Sequence, residues 1–135
     1  MIFVDTSAIV ALAFTKDTFH LRANEWFSKN KEESFVTSNL VVVESLGWIR
    51  YRGGKRLAVE VGERFYSGEG LNIIKVSPED EKNAWMNFKK LDGKSISMVD
   101  STSFVVMKRL KIKKAFAFDK DFEKVGFTLL PGSLT

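Results

Sequence analysis

Short apolar runs alternate with longer helical segments along this 135-residue sequence, and that alternation is the strongest limit on its fold. Polar or turn-forming residues bound each run, as is typical of buried strands. The predicted strands cover residues 2–4, 35–37, 71–76, 115–118 and 127–130. Strands that alternate with helices form βαβ units, in which helices cover both faces of a parallel sheet. The sequence therefore predicts an α/β fold in a single domain over residues 1–135.

The intervening segments carry the periodicity and the end signals of helices. In the segment 55–66, an apolar residue recurs at every fourth position. Ser77 followed by Pro78 begins another helix, because serine caps free N–H groups and proline fits the first turn. The first helix is expected to begin near Thr6 or Ser7. The predicted helices cover residues 8–14, 20–30, 40–51, 55–66, 78–91 and 97–111, with a helical turn at 121–124.

The composition excludes several kinds of site and location. The chain has no cysteine, which rules out disulfides, zinc–thiolate centres and thiol nucleophiles. No apolar run approaches the roughly 20 residues that a membrane span needs. Asp5 also interrupts the apolar segment that a signal peptide would require. The formal net charge of +4 suits a polyanionic partner. We therefore expect a cytoplasmic protein without membrane association.

Four acidic residues stand at positions where a charge is unusual. Asp5 and Asp119 each follow a predicted strand, and strand ends form the edge where open α/β sheets bind ligands. Glu44 interrupts an otherwise apolar helix, where an unpaired charge is costly. Asp100 lies in the first turn of a helix beside apolar neighbours. Two strand ends and two helix positions can therefore converge at one edge of the sheet.

Each acid also has a purely structural interpretation. Asp5 can cap the first helix, and Asp100 can interact favourably with the positive end of a later one. Asp119 and Asp121 suit a turn, because aspartate hydrogen-bonds to its own backbone there. Glu44 can point outward or pair with an arginine further along its helix. Taken singly, these alternatives remain open.

A cluster of these acids would need a cation. Carboxylates held close together repel one another, and their pKa values rise unless positive charge compensates them. Oxygen donors without histidine or cysteine select hard cations such as Mg²⁺ or Mn²⁺. One or two such ions can lower the pKa of water and hold the oxygens of a phosphodiester.

Four stretches of the chain resemble one protein family. The start VDTSAIVAL, Glu44 in the third helix, SMVDSTSF around Asp100, and AFAFDKDF followed by Gly126 and Phe127 are similar to PIN-domain ribonucleases, in particular VapC-type toxins. The resemblance covers essentially the whole chain in order. It implies a PIN-like domain in which helices sandwich a parallel sheet of about five strands.

The resemblance also implies roles for individual residues. The catalytic, metal-binding acids would be Asp5, Glu44, Asp100 and Asp119. Auxiliary residues in the same pocket would be Asp121, Thr6 and Ser7, the last two orienting a water or a phosphate. The family often has Thr or Ser two residues before the fourth acid, where this chain has Ala117. A hydroxyl contact from that position is therefore absent.

The activity implied is that of a Mg²⁺- or Mn²⁺-dependent endoribonuclease, the toxin of a toxin–antitoxin pair. Its implied partners are an RNA substrate, a small antitoxin and a second copy of the chain. Trp48, Ile49, Phe65 and Tyr66 either provide an apolar surface for that dimer or complete the core.

Basic residues near an acidic pocket would attract RNA. A first cluster contains Arg50, Arg52, Lys55 and Arg56, and a second lies at residues 108–114. Either cluster can instead be a solvated helix end. Most of the aromatic residues are spaced for core packing, and they predict no exposed platform for stacking on bases.

Two other functions fit parts of this pattern. A PIN-like binding module without useful activity could act only through a partner, although all four acids are present. A receiver-type phosphoacceptor domain also has aspartates at strand ends. It requires an acidic pair near the first strand, however, and Asp5 has no acidic neighbour.

Overall fold

The computed structural model describes residues 1–132 and contains a five-stranded sheet with the order β3-β2-β1-β4-β5. All four strand pairs are parallel. The strands are β1 (Ile2–Val4), β2 (Phe35–Ser38), β3 (Leu71–Ile74), β4 (Lys114–Phe116) and β5 (Thr128–Leu130). The predicted α/β class and parallel sheet are confirmed. The last three residues of the predicted domain lie outside the described residues.

Helices connect successive strands as predicted. They are α1 (Thr6–Ala13), α2 (His20–Lys29), α3 (Asn39–Gly53), α4 (Lys55–Tyr66), α5 (Pro78–Lys90), α6 (Met98–Arg109) and the short α7 (Asp121–Lys124). The helices α3 and α4 pack together, as do α5 and α6, while α1 packs against both α2 and α3. Within residues 1–132, none of these helices has the length and apolarity to cross a membrane.

The direction in which the sheet grows reverses beside β1. From β1 the chain adds β2 and β3 on one side, and then returns to place β4 and β5 on the other. Phe3 accordingly has Val36 as its partner on one side and Ala115 on the other. Such a reversal leaves a crevice at the carboxyl ends of the two strands that flank it. Asp5 follows one of these strands and Asp119 lies beyond the other.

Two strands, β3 and β4, end two residues earlier than predicted, and a side chain binds the backbone just beyond each of them. β4 stops at Phe116, because the N–H of Phe118 donates to the Ser7 hydroxyl at 3.0 Å. Asp119 therefore lies three residues past the strand. β3 stops at Ile74, and the N–H of Val76 donates to the Asn39 side chain at 2.9 Å.

The first helix begins at Thr6, within the predicted region. Asp5 is its N-cap, as one interpretation of that residue predicted, and the Asp5 carboxylate accepts the N–H of Ser7. Thr6 and Ser7 lie inside the first turn. The structural interpretation of Asp5 as a helix cap is therefore confirmed, and it does not prevent Asp5 from having a second role.

The four apolar residues with an open role divide between core and surface. Ile49 and Phe65 are buried in the core. Trp48 and Tyr66 are 51% and 67% exposed, respectively. The burial of Ile49 removes it from any dimer surface and leaves the two exposed aromatic rings unexplained by core packing.

Two glycines separate α3 from α4. A Cβ atom at Gly53 would lie 2.6 Å from the Phe14 ring and 2.8 Å from the Leu57 side chain, so any larger residue would force these side chains to shift. Gly54 has a φ of +89°, which favours glycine and turns the chain into α4. This close approach brings the last turn of α3 next to the loop that follows α1.

An ion pair joins α5 to α6. The buried carboxylate of Asp80 accepts two hydrogen bonds from the Arg109 guanidinium, each at 2.8 Å. These bonds hold the pKa of Asp80 below its usual range. Asp80 also forms a capping box with Ser77. The pair therefore sets the spacing of the two helices whose connecting loop leads to Asp100.

We expect Arg109→Leu to lower the free energy of unfolding by about 2 kcal/mol, because it leaves a buried carboxylate without its charged partner. Urea unfolding at pH 7 measures this. The matched control is Arg56→Leu, since Arg56 faces the exposed Glu60 at 3.8 Å. That substitution should cost less than about 0.5 kcal/mol.

The same pair predicts a pH dependence. The lowered pKa of Asp80 stabilises the fold above the pKa of an unfolded aspartate, and this contribution is lost as the pH falls through the folded-state value. The difference between wild type and Arg109→Leu should therefore shrink below about pH 4. A difference that stays constant down to pH 2 contradicts the assignment.

Candidate metal centre

The four predicted acids line one cavity at the carboxyl edge of the sheet. Asp5, Glu44, Asp100 and Asp119 all border this space of about 410 Å³. They come from the end of β1, from α3, from the start of α6 and from the segment after β4. The structure thus brings together residues that are far apart in the sequence, up to the 114 positions between Asp5 and Asp119.

Two hydroxyl groups in the first turn of α1 orient acids of the cavity. Ser7 donates to the Asp5 carboxylate at 2.6 Å, and its oxygen accepts the N–H of Phe118. Thr6 donates to the carboxylate of Glu44 at 2.7 Å. Both residues were predicted to lie near the pocket. In the structure, both hydroxyl groups donate to carboxylates of the cavity and so hold these acids in place.

A capping box holds Asp100. The Ser97 hydroxyl accepts the N–H of Asp100 at 3.0 Å, while the Asp100 carboxylate accepts the N–H of Ser97 at 2.9 Å. This carboxylate therefore has both a structural role at the helix start and a place in the cavity. The sequence presented these two roles as alternatives, and the structure combines them.

Asp119 and Asp121 form the third part of the cluster. One carboxylate oxygen from each, together with one from Asp100, lie within 4.8 Å of one another. Asp119 accepts the N–H of Asp121 at 2.9 Å. Asp121 is only 2% exposed and accepts the Ser95 hydroxyl at 2.6 Å. Lys124 lies 3.5 Å from the Asp121 carboxylate and offsets part of its charge.

The electrostatics of the cluster favour a cation. Burial, with smaller contributions from the charges of Asp100 and Asp119, raises the pKa of Asp5 to about 7, even though the hydrogen bonds from Ser7 lower it. Burial is also the main cause of the raised pKa of Asp100, with Glu44 and Asp121 contributing. The pKa of Asp119 is raised for the same reasons. Carboxylates in this state gain most from a positive charge placed between them.

The donor set fits a hard divalent cation. Every acid in the cluster offers carboxylate oxygens, and no histidine lines the cavity in the described part of the chain. Oxygen ligands of this kind suit Mg²⁺ or Mn²⁺. The mutual spacing within 4.8 Å allows Asp100, Asp119 and Asp121 to share an ion.

The predicted basic cluster is divided by the fold. Arg52 lines the acidic cavity, and its guanidinium lies 5.7 Å from the centre of the Phe14 ring. Arg50 borders a separate groove between α3 and α4. Lys55 is exposed at the start of α4, where Arg56 faces Glu60. In the second cluster, Arg109 binds Asp80.

The cavity also contains residues that the sequence did not place there, including Phe19, Trp48 and Ser95, whereas Arg52 belongs to the predicted basic cluster. Trp48 and Arg52 follow Glu44 by four and eight positions, so helical periodicity already places the tryptophan on the same side of α3. Phe19 and Ser95 carry no comparable local signal. Their positions depend on contacts with Phe118 and Asp121, which are distant in the sequence.

Comparison with known proteins agrees with this geometry. The profile of the PIN domain matches residues 2–128. The chain belongs to the PIN domain family. The resemblance seen in the sequence is thereby confirmed, and the receiver-type alternative has no support.

Two curated relatives and one solved structure extend the comparison. The 23S rRNA-specific endonuclease VapC20 from two strains of Mycobacterium tuberculosis, CDC 1551 / Oshkosh and ATCC 25618 / H37Rv, is 36% identical over 127 residues. The match covers 94% of this chain and 95% of the relative. The crystal structure of M. tuberculosis VapC20, described as a sarcin-ricin loop cleaving toxin, superposes with a TM-score of 0.88. It is 32% identical and covers 95% of this chain and 97% of that one.

We expect the metal-free protein to become less stable as the pH rises from 4 to 7.5. The raised pKa of Asp5 means that the folded state holds its proton more tightly than the unfolded chain, whose value is near 3.8. The stabilisation is therefore complete below about pH 4 and is lost as the pH rises through the folded-state value, by up to about 4 kcal/mol. Urea unfolding in chelator across this range measures the loss.

Two variants and one ligand sharpen that measurement. Asp5→Asn should flatten the dependence, while Glu32→Gln, on an exposed loop before β2, should leave it unchanged. Mn²⁺ should raise the melting temperature more at pH 7.5 than at pH 5, because it competes with protons for the carboxylates. Identical pH profiles for wild type and Asp5→Asn would contradict the expectation.

Proposed function

We propose that this protein is a metal-dependent endoribonuclease and the toxin of a VapBC-type toxin–antitoxin pair. The observation that carries the proposal is the convergence of four carboxylates from separate elements on one cavity. A purely structural set of helix caps would not place all four at the same edge. The membership of the PIN domain family and the similarity to an endonuclease over most of the chain support it.

In this proposal the catalytic acids hold one or two Mg²⁺ or Mn²⁺ ions. Asp5, Glu44, Asp100 and Asp119 provide the ligands, and the buried Asp121, which lies close enough to share an ion with Asp100 and Asp119, is an auxiliary acid. A divalent cation held there lowers the pKa of water and offsets the charge that develops on phosphodiester oxygens. Thr6 and Ser7 keep the carboxylates of Glu44 and Asp5 aimed at the cavity.

The rim of the cavity would guide the phosphate backbone. Arg52 is the basic residue of the predicted cluster that borders the acids, so it has the strongest case for contacting RNA. Arg50, Lys55 and Arg56 do not line this cavity and would act only through longer-range attraction. The specificity of VapC20 makes the sarcin-ricin loop of 23S rRNA the first substrate to test.

The proposed partners follow from the same family. A second copy of the chain would cover exposed apolar residues of α3 and α4, such as Val43, Tyr51, Val59 and Tyr66. A small antitoxin would bind and inhibit the toxin. An RNA substrate of this kind implies action in the cytoplasm. The alternative of a binding module without useful activity is weaker, because such a module has no need for all four acids.

We expect cleavage of a sarcin-ricin hairpin in Mg²⁺ or Mn²⁺, and none in chelator. Asp100→Asn should reduce the rate by more than about 100-fold, since even groups around metal ligands contribute 10–100-fold. The exposed Glu32→Gln removes the same charge far from the cavity and should retain full activity. Gel analysis of end-labelled RNA measures the rates.

Cleavage that survives both chelator and Asp100→Asn contradicts the proposed site. Absence of cleavage together with absence of Mn²⁺ binding by calorimetry favours the binding module. Cleavage of other structured RNAs, but not of the sarcin-ricin hairpin, would retain the nuclease and replace only the substrate.

A further inference from the structure

Two aromatic side chains border the acidic cavity, although the sequence predicted no exposed aromatic platform for stacking on bases. Phe19 and Trp48 line the same space as the four carboxylates. Their exposed fractions are 37% and 51%, respectively. Exposed rings next to a site for phosphodiester hydrolysis have a chemical use, since every nucleic-acid base offers a π-face for stacking.

Trp48 belongs to a stripe along α3 that runs out of the catalytic cluster. Glu44, Trp48 and Arg52 are spaced four residues apart, and all three border the cavity. The order along the helix is therefore carboxylate, indole and guanidinium. A nucleotide whose phosphate meets the acids could place its base on the indole, while Arg52 meets the next phosphate.

Phe19 is held in place before any ligand arrives. Its ring stacks on Phe118 with centroids 4.6 Å apart and an angle of 8° between the planes. Its N–H donates to the Asp17 carboxylate at 2.9 Å. Phe118 precedes Asp119 and is tied to Ser7 through its backbone. The position of the Phe19 ring is thus coupled directly to the segment that carries a catalytic acid.

The other exposed tryptophan has a different environment. Trp85 on α5 is 50% exposed, almost the same fraction as Trp48. It stacks on Phe88 with centroids 5.7 Å apart, and Lys89 lies 5.9 Å from its ring centre. Trp85 does not line the acidic cavity in the described part of the chain. It therefore serves as a matched control of the same residue type and exposure.

We propose that Phe19 and Trp48 form stacking subsites for unpaired bases next to the scissile phosphodiester. The proposal rests on the proposed nuclease function and defines its substrate class as RNA loops with bases turned out of the helix. Bases inside a continuous duplex already stack on their neighbours and cannot reach these rings. Specificity for a loop would thus begin at the rim of the cavity.

The experiment measures RNA binding without cleavage. All variants are made in the Asp100→Asn background in Mg²⁺, and the probes are the sarcin-ricin hairpin and a fully paired duplex of equal length. Trp48→Ala and Phe19→Ala should each weaken binding to the hairpin about tenfold, as expected for the loss of one stacked base. Trp48→Phe should restore most of this affinity. Trp85→Ala should change nothing, and no variant should alter duplex binding appreciably.

Several results would overturn the proposal. Equal losses for hairpin and duplex would assign the rings to general backbone binding. Unchanged hairpin affinity together with an altered sedimentation mass for Trp48→Ala would assign Trp48 to a protein interface. Equal affinity of the Asp100→Asn protein for hairpin and duplex would show that it has no preference for loops, which contradicts the proposed substrate class. Thermal unfolding of each variant confirms that it is folded.

The outcomes also separate the two proposals. Metal-dependent cleavage by otherwise wild-type protein, combined with unchanged hairpin binding in Trp48→Ala, would retain the nuclease and reject the stacking subsites. Loss of hairpin binding in both alanine variants without any cleavage by wild type would retain the subsites and reject the nuclease.

Discussion

The mutual repulsion of buried carboxylates is the constraint around which this structure is arranged. Burial raises the pKa values of Asp5, Asp100 and Asp119, and neighbouring carboxylates of the same cluster add to the effect at each of them. Such a cluster persists only where other bonds fix its members. Hydroxyl groups do this at several points, including Ser7 on Asp5 and Ser95 on Asp121. A divalent cation between the carboxylates would offset the remaining electrostatic cost.

The parallel sheet makes this arrangement possible. Its growth reverses beside β1, which opens a crevice at the carboxyl ends of β1 and β4. The residues after these strands, Asp5 and Asp119, consequently face the same space. Helix starts complete the set, because Asp5 caps α1 and Asp100 belongs to a capping box. The same bonds that end strands and begin helices therefore orient the acids, and fold and site share their local interactions.

The cavity is chemically asymmetric, which bears on how an RNA would lie in it. Acids occupy its floor, whereas Trp48 and Arg52 continue along α3 and Phe19 stands on the ring of Phe118. A rim with two rings and one guanidinium can recognise bases and phosphates separately. In the proposed nuclease, selectivity would then depend on a few side chains around the proposed metal centre.

The sequence by itself determined the order of strands and helices, the helix starts at Ser77 and Ser97, and the four acids of the cavity. These depend on local periodicity, capping chemistry and charges at strand ends, all of which act over a few residues. Only the tertiary structure decided that Ser95 supports Asp121 and that Phe19 reaches the cavity. It also decided that Arg52 borders the acids while Arg50 lies in another groove. The physical reason is distance along the chain: Ser95 and Asp121 are 26 positions apart, and no local pattern records a contact made by folding.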